Sequence, residues 1–194
     1  AVNDIIYGGG NSDTITGGTE NDRLYGEGGD DSIAGDAGDD ELWGGSGDDT
    51  LTDSAGNDIL VGGTGDDTLT GAGGNDVYRF NLGDGQDTIT DTAGVDRIEF
   101  GSGIAAADLE VRQQGSTALS IRIKGTDDRI TLVNALSVAG NAIEEIRFAD
   151  GSASLTHAQL LALSMQPTDG NDILYGTTVA DTIYGGKGND TINT

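Results

Sequence analysis

Gly44-Gly45-Ser46-Gly47-Asp48-Asp49-Thr50-Leu51-Thr52, restated eighteen residues later as Gly62-Gly63-Thr64-Gly65-Asp66-Asp67-Thr68-Leu69-Thr70, decides how this chain folds. Outward from that stretch, Asp4, Asp13, Asp22, Asp31, Asp40, Asp49, Asp58, Asp67 and Asp76 recur every nine residues. Each is followed two places later by one large apolar residue. A fixed short period specifies stacked turns in place of a single globular core.

One repeat divides into six turn-forming residues and three strand-like ones. Glycines at the first, second and fourth places, among them Gly8, Gly9, Gly17, Gly18, Gly44, Gly45, Gly47, Gly62, Gly63 and Gly65, permit positive φ and close backbone approach. The carbonyls can then point inward. The sixth place supplies a carboxylate, and the eighth supplies Ile or Leu aimed at the interior between two outward neighbours. Two repeats make one turn of an all-β solenoid. Asp4, Asp22, Asp40, Asp58 and Asp76 therefore stack along one edge, and Asp13, Asp31, Asp49 and Asp67 along the other.

Composition says what such stacks need. The chain carries 34 acidic against 9 basic side chains, a formal charge of −25. Neighbouring aspartates at the strand spacing of about 4.8 Å repel by roughly 3 kcal/mol per bare pair at an effective dielectric of about 20. Seven such pairs total on the order of 20 kcal/mol, against a domain stability of about 5 to 15 kcal/mol. Without cations the array should not fold, and disorder is the competing default for this composition.

The ligands on offer are carboxylates and backbone carbonyls, a hard and flexible oxygen set that suits Ca²⁺. Mg²⁺ prefers a stricter octahedron and keeps its waters, while zinc or copper would call for His or Cys. Sites between successive turns number four on the first edge and three on the second. Asp67 with Asp87, Asp76 with Asp96, and Asp172 with Asp190 add weaker ones, so roughly seven to ten calcium ions are expected. With no basic patch, nucleic acid and anionic membrane are disfavoured as partners. There is no cysteine, no stretch long and apolar enough to span a membrane, and no signal peptide. The chain opens on half a repeat at Asn3-Asp4 and stops within another at Asn193-Thr194, which suggests a piece of a longer protein.

Charge and glycine divide the chain into three. Residues 1–96 form the first array, in which a two-residue insertion around Phe80-Asn81 precedes Asp87 and Asp96, with Ile89 and Ile98 two places on. Residues 97–167 are nearly neutral and hold six of the 34 glycines. Alternation at Leu109-Glu110-Val111, Leu119-Ser120-Ile121-Arg122-Ile123 and Arg129-Ile130-Thr131-Leu132-Val133 predicts half-buried strands. Ala149-Asp150-Gly151 marks a turn. Residues 156–165 predict one short helix, with Thr156 or Ser154 as N-cap and Pro167 as the stop. Residues 168–194 form a second array, with Asp172, Asp181 and Asp190 followed by Leu174, Ile183 and Ile192.

These residues resemble the RTX repeats of calcium-binding proteins exported by Gram-negative type I secretion, with the pattern G-G-x-G-x-D-x-U-x. The resemblance covers about two thirds of the chain. It implies a parallel β-roll that is disordered in low cytosolic calcium and folds outside the cell, secreted or at the cell surface. Arg97-Ile98-Glu99-Phe100, Ala107-Asp108-Leu109 and residues 143–151 resemble the haemolysin-type calcium-binding-related domain often embedded among such repeats. Departures from the pattern at Glu20, Asp53-Ser54 and Val179-Ala180 should bind more weakly or bend differently. Tyr78, aromatic at the apolar place, looks like the end-of-array variant.

The outward residues sort into two unlike faces. One carries Thr14/Thr16, Ser32/Ala34, Thr50/Thr52, Thr68/Thr70 and Thr88/Thr90. Solubility and β propensity account for that hydroxyl ladder, with ordered water, ice or a glycan as the alternative contact. The other carries Ile5/Tyr7, Arg23/Tyr25, Glu41/Trp43, Ile59/Val61 and Val77/Arg79, and burial against the middle segment or a neighbouring domain of the parent protein is expected. The leading expectation is a calcium-dependent folding module of a secreted adhesin, toxin or exoenzyme. The alternative is an adhesion or ligand-binding module acting through the Thr face or the middle segment on a cell-surface, glycan or ice ligand. Enzymatic function is not expected. His157 is the single histidine and sits in the predicted helix, which leaves nucleophilic machinery without support.

Overall fold

A computed structural model describes residues 2–136, 143–167, 170–176 and 182–193. Two parallel sheets wind around one narrow core. The first array contributes β1 (Ile5–Gly10), β3 (Arg23–Gly28), β5 (Glu41–Ser46), β7 (Ile59–Thr64), β9 (Val77–Phe80) and β11 (Asp96–Phe100) to one sheet. β2 (Thr14–Thr19), β4 (Ser32–Ala37), β6 (Thr50–Thr52), β8 (Thr68–Gly73) and β10 (Gln86–Ala93) make the other. Residues eighteen apart pair in parallel, as in Leu24↔Leu42↔Leu60 and Ile33↔Leu51↔Leu69, so two repeats close one coil. The all-β parallel roll is the fold.

Seven of the first eight strands are longer than the predicted three residues. They run through the first three turn residues, and the pairing Gly9↔Glu27 and Gly10↔Gly28 resumes beyond an unpaired first-place glycine. The bend is thus concentrated at that glycine. Positive φ falls at the second and fourth places of the repeat and not the first. Non-glycine residues there accept the same conformation: Glu27 and Asp36 at φ 74° and Glu20 at φ 88°. The stacked neighbours impose it at a cost of about 1 kcal/mol or more each.

The eighth-place residues build the core. Leu24, Leu42, Leu51 and Leu60 are completely buried, and Ile15, Ile33, Leu69, Tyr78, Ile89 and Ile98 nearly so. Each such burial contributes about 1.5–3 kcal/mol. The insertion after Phe80 is absorbed in a turn where the Asp84 carboxylate accepts the Asn81 N–H at 2.6 Å, and β10 then rejoins β8 with two register shifts.

The middle segment prolongs both sheets. β12 (Leu109–Gln114), β13 (Ala118–Ile123) and β14 (Arg129–Leu132) form an antiparallel meander, and β14 lies parallel to β10. β15 (Ile143–Phe148) lies parallel to β11, followed by the short β16 (Leu155–Thr156). Phe80, Phe100 and Phe148 pack in series, with ring centroids 5.9 and 5.7 Å apart. The predicted helix is α1 (His157–Ser164). Thr156 caps it, its hydroxyl accepting the Gln159 N–H while the Gln159 side chain returns to the Thr156 N–H. In the second array β17 (Ile173–Tyr175) and β18 (Thr191–Asn193) pair in parallel, and Tyr175 exchanges two hydrogen bonds with the Gln113 side chain.

The two faces sort as the repeat predicts, and the aromatic face is unevenly covered: Val61 and Val77 are buried, whereas Ile5 and Tyr7 on its first strand are exposed. Because the middle segment extends the sheets in line, it does not fold back over Tyr7, which is 63% exposed, or Ile5. Tyr7, Tyr25 and Trp43 stack on one another instead, at centroid separations of 4.9 and 6.2 Å.

Candidate metal centre

Along each edge the backbone N–H of one repeat aspartate donates to Oδ1 of the aspartate one coil on. On the first edge Asp4 donates to Asp22 (2.6 Å), Asp22 to Asp40 (2.7 Å), Asp40 to Asp58 (2.8 Å), Asp58 to Asp76 (2.9 Å) and Asp76 to Asp96 (2.8 Å). The second edge runs Asp13, Asp31, Asp49, Asp67 and Asp87 in the same way, at 2.7 to 3.1 Å. One oxygen of every carboxylate beyond the first coil is thereby committed.

The other oxygen is not. Oδ2 of Asp22, Asp31, Asp40, Asp49, Asp53, Asp58, Asp67 and Asp76 is buried without a hydrogen-bond partner. A buried unpaired carboxylate oxygen is strongly destabilising. All eight must be neutralised, by a cation or, in its absence, by protons.

The first-place glycines form the other wall. A Cβ on Gly17 would stand 2.6 Å from Asp22 Oδ2 and 3.0 Å from the Gly35 carbonyl oxygen, and one on Gly8 would stand 2.8 Å from Asp13 Oδ2 and 3.0 Å from the Gly26 carbonyl. Gly44 and Gly62 face Asp49 and Asp67 in the same way. Removing the side chain brings carboxylate and carbonyl oxygens together around one small volume. Gly9, Gly18, Gly45 and Gly63 at the second place, and Gly47 and Gly65 at the fourth, carry the positive φ that turns the chain around it. The donor set is all oxygen and contains no thiolate or imidazole, which fits calcium.

Burial pushes the aspartates up from their ordinary 3.8: Asp49 and Asp67 to about 6, Asp76 to about 7 and Asp87 to about 8. Desolvation is the largest cause in each, and repulsion from neighbouring aspartates adds to it. Burial also raises Asp40, Asp53, Asp58 and Asp96. The sequence-level account rested on mutual repulsion. Loss of water is the larger penalty.

The outer coils are less enclosed: Asp4 is exposed, and Asp13 half-buried. Asp172 donates to Asp190 Oδ1 at 3.0 Å in the second array, apart from the two long rows. Asp181 lies outside the described residues, as do Val179-Ala180.

Three features escaped the sequence reading. The fifth place of the repeat carries a ladder of opposite sense, in which the N–H of Asp48, Asn57, Asp66 and Asn75 donates to Oδ1 of Asp30, Asp39, Asp48 and Asn57 one coil earlier, at 2.8 to 3.0 Å. The recurrence of Asp or Asn before the repeat aspartate was its signal. Glu144 of β15 accepts the Asp96 N–H at 2.7 Å, taking the place of a further repeat aspartate, and no periodicity announces it. Asp53 and Asp91 stand at the first place, where glycine is the rule, and are buried. The loss of glycine at Asp53 was legible, while the gain of a carboxylate was not weighed.

The pattern has relatives. A family model described as RTX calcium-binding nonapeptide repeat (4 copies) matches residues 7–42, 16–51, 43–78, 52–86, 79–104 and 167–194. A second, described as haemolysin-type calcium binding protein related domain, matches residues 119–155. No curated protein matches the chain significantly. Repeat, roll and oxygen-lined edges agree on calcium as the cation, and the chain belongs to the RTX calcium-binding nonapeptide repeat family, with a haemolysin-type calcium-binding-related segment between its arrays.

Proposed function

We propose that this chain is the calcium-gated folding module of a larger secreted Gram-negative protein, an adhesin, toxin or exoenzyme, and is not itself catalytic. The observation that carries the reading is the double row of buried, unpartnered Oδ2 atoms. Asp22, Asp31, Asp40, Asp49, Asp58, Asp67 and Asp76 would hold calcium with the carbonyls of the first-place glycines. Asp4, Asp13, Asp87, Asp96 and the pair Asp172 and Asp190 would form weaker sites at the ends. Low cytosolic calcium leaves the rows unneutralised and the chain unfolded for type I export, and external calcium folds it by mass action.

Among the described residues the single histidine is not hydrogen-bonded to a nucleophilic side chain. The His157 ring sits at the start of α1 with Nδ1 3.2 Å from the Ile143 carbonyl oxygen. Circular dichroism during a calcium titration tests the reading: the chain should be unfolded in chelator and gain β structure cooperatively. Full β structure in chelator would sink it.

The register of the hydroxyl face favours a second reading. Thr14, Ser32, Thr50, Thr68, Thr88 and Thr131 align across six strands. Such a ladder suits ordered water or a glycan. Binding to immobilised glycans or ice that needs calcium and is lost when Thr50 and Thr68 become Val would support it, and binding indifferent to both would not.

A further inference from the structure

The turn that begins at Asp53 departs furthest from the repeat. Its stack neighbours at the first place are Gly35 and Gly71, so Asp53 sets a carboxylate where they have only hydrogen. As expected the turn bends differently, since β6 ends at Thr52 and Ser54 is not in the left-handed region. Weaker binding does not follow from the geometry.

Asp53 Oδ1 accepts the N–H groups of Ser54 (2.6 Å) and Ala55 (3.2 Å), which fixes the carboxylate plane. Its Oδ2 then points at the α-carbon of Gly35, into the space that a side chain there would need. Asp40 and Asp58 have their Oδ1 atoms held by the N–H groups of Asp22 and Asp40. All three Oδ2 atoms are without partners, and the residues are 1%, 4% and 0% exposed for Asp40, Asp53 and Asp58. One carboxylate oxygen from each lies within 4.8 Å of the other two.

The similar cluster of Asp76, Asp91 and Asp96 shows what a satisfied third carboxylate looks like. There the Tyr78 hydroxyl donates to Asp91 Oδ2 at 2.5 Å, whereas the residue matching Tyr78 in the Asp53 cluster, two places after Asp40, is the apolar Leu42. Among the described residues no hydroxyl or cationic group is paired with Asp53 Oδ2.

We propose that Asp40, Asp53 and Asp58 form a three-carboxylate site for one hard cation, calcium or a trivalent lanthanide, that fills before the other inter-coil sites. The proposal rests on the calcium reading above. Affinity in oxygen-ligand sites rises with the number of carboxylates, and Asp53 adds a third to the two repeat aspartates of successive coils. Its place in the middle of the stack, with coils on both sides, makes it the point from which order spreads to neighbouring coils.

The test is a calcium and a terbium titration of the full chain, followed by calorimetry and circular dichroism, in wild type, Asp53→Gly and Asp53→Asn. Asp53→Gly restores the repeat's own residue, and Asp53→Asn keeps the shape without the charge. Wild type should show one tight ion per chain ahead of the rest, with terbium favoured over calcium. Both variants should weaken that first step by about tenfold or more, lose the terbium preference, and reach the same β content at saturating calcium. A first step unchanged in both variants, or tighter in Asp53→Gly, overturns the site while leaving the folding-module reading intact. A wild type that binds no calcium overturns both. Should Asp53→Gly fail to fold at saturation, Asp53→Asn decides.

Discussion

In the first array Leu24, Leu42 and Leu60 are completely buried, whereas in the second array Leu174 is buried but Ile192, at the same place in the repeat, is 44% exposed and Tyr184 is 70% exposed. The aspartate ladder is present in both, as Asp58 to Asp76 at 2.9 Å and Asp172 to Asp190 at 3.0 Å. The repeat therefore encodes its ladder locally and its core only collectively. An apolar residue at the eighth place is sealed when a coil lies on either side of it, and stability in such stacks is a sum over neighbours. The same holds for charge. Asp58 is fully buried between coils while Asp190 is half-exposed, so water can compensate the second and only a cation the first.

Calcium removal should separate the arrays most. Circular dichroism in chelator should lose the β signal of residues 2–100 essentially completely, and a signal that survives would mean that the buried carboxylates are tolerated without ions. Next in size, Leu42→Ala in the calcium-loaded chain should cost about 2–5 kcal/mol in denaturant unfolding, because the coils on both sides prevent collapse of the cavity. Ile192→Ala should cost about 0.5 kcal/mol or less. Equal losses at the two positions would refute the neighbour account.

Acid offers a third way to divide the regions. Asp49, Asp67, Asp76 and Asp87 have folded-state values raised to between about 6 and about 8 from 3.8. The folded chain then binds more protons than the unfolded one, so calcium-free stability is fullest below about pH 4 and is lost as pH rises through the window from 6 to 8. Circular dichroism in calcium-free buffer should show more β structure at pH 5 than at pH 8. A rise in stability with pH would contradict the burial of these groups. A modest effect belongs to the open end of the aromatic face, where Tyr25→Ser should cost about 0.5–1.5 kcal/mol, the scale of a stacked aromatic contact. No loss at all in calcium-loaded melts would mean that the stack with Tyr7 and Trp43 contributes nothing.

Much of this was legible because a nine-residue period leaves little freedom. Once Asp49 and Leu51 recur at that spacing, coil length and the sorting of Thr and aromatic residues onto opposite faces follow from backbone geometry. The helix at His157–Ser164 was legible in its cap and apolar run. Cover of Tyr7 by the middle segment was one expectation, and Tyr7 is exposed. Sequence shows that a face is apolar but not where the next segment goes, and β12–β15 reach the end of the roll by edge pairing. Asp53 was visible as a missing glycine, yet its value depends on two carboxylates that converge on it only after coiling.

The sequence by itself determined the unit, its repeat, the oxygen-only chemistry and the need for calcium, because each is a property of one nonapeptide copied along the chain. The tertiary structure alone decided which carboxylate oxygens are left unpaired, how deeply each is buried, that Glu144 ends one row, and that Asp40, Asp53 and Asp58 meet. Those depend on distances between residues eighteen or more apart. The stacking of coils fixes such distances, and no local pattern can.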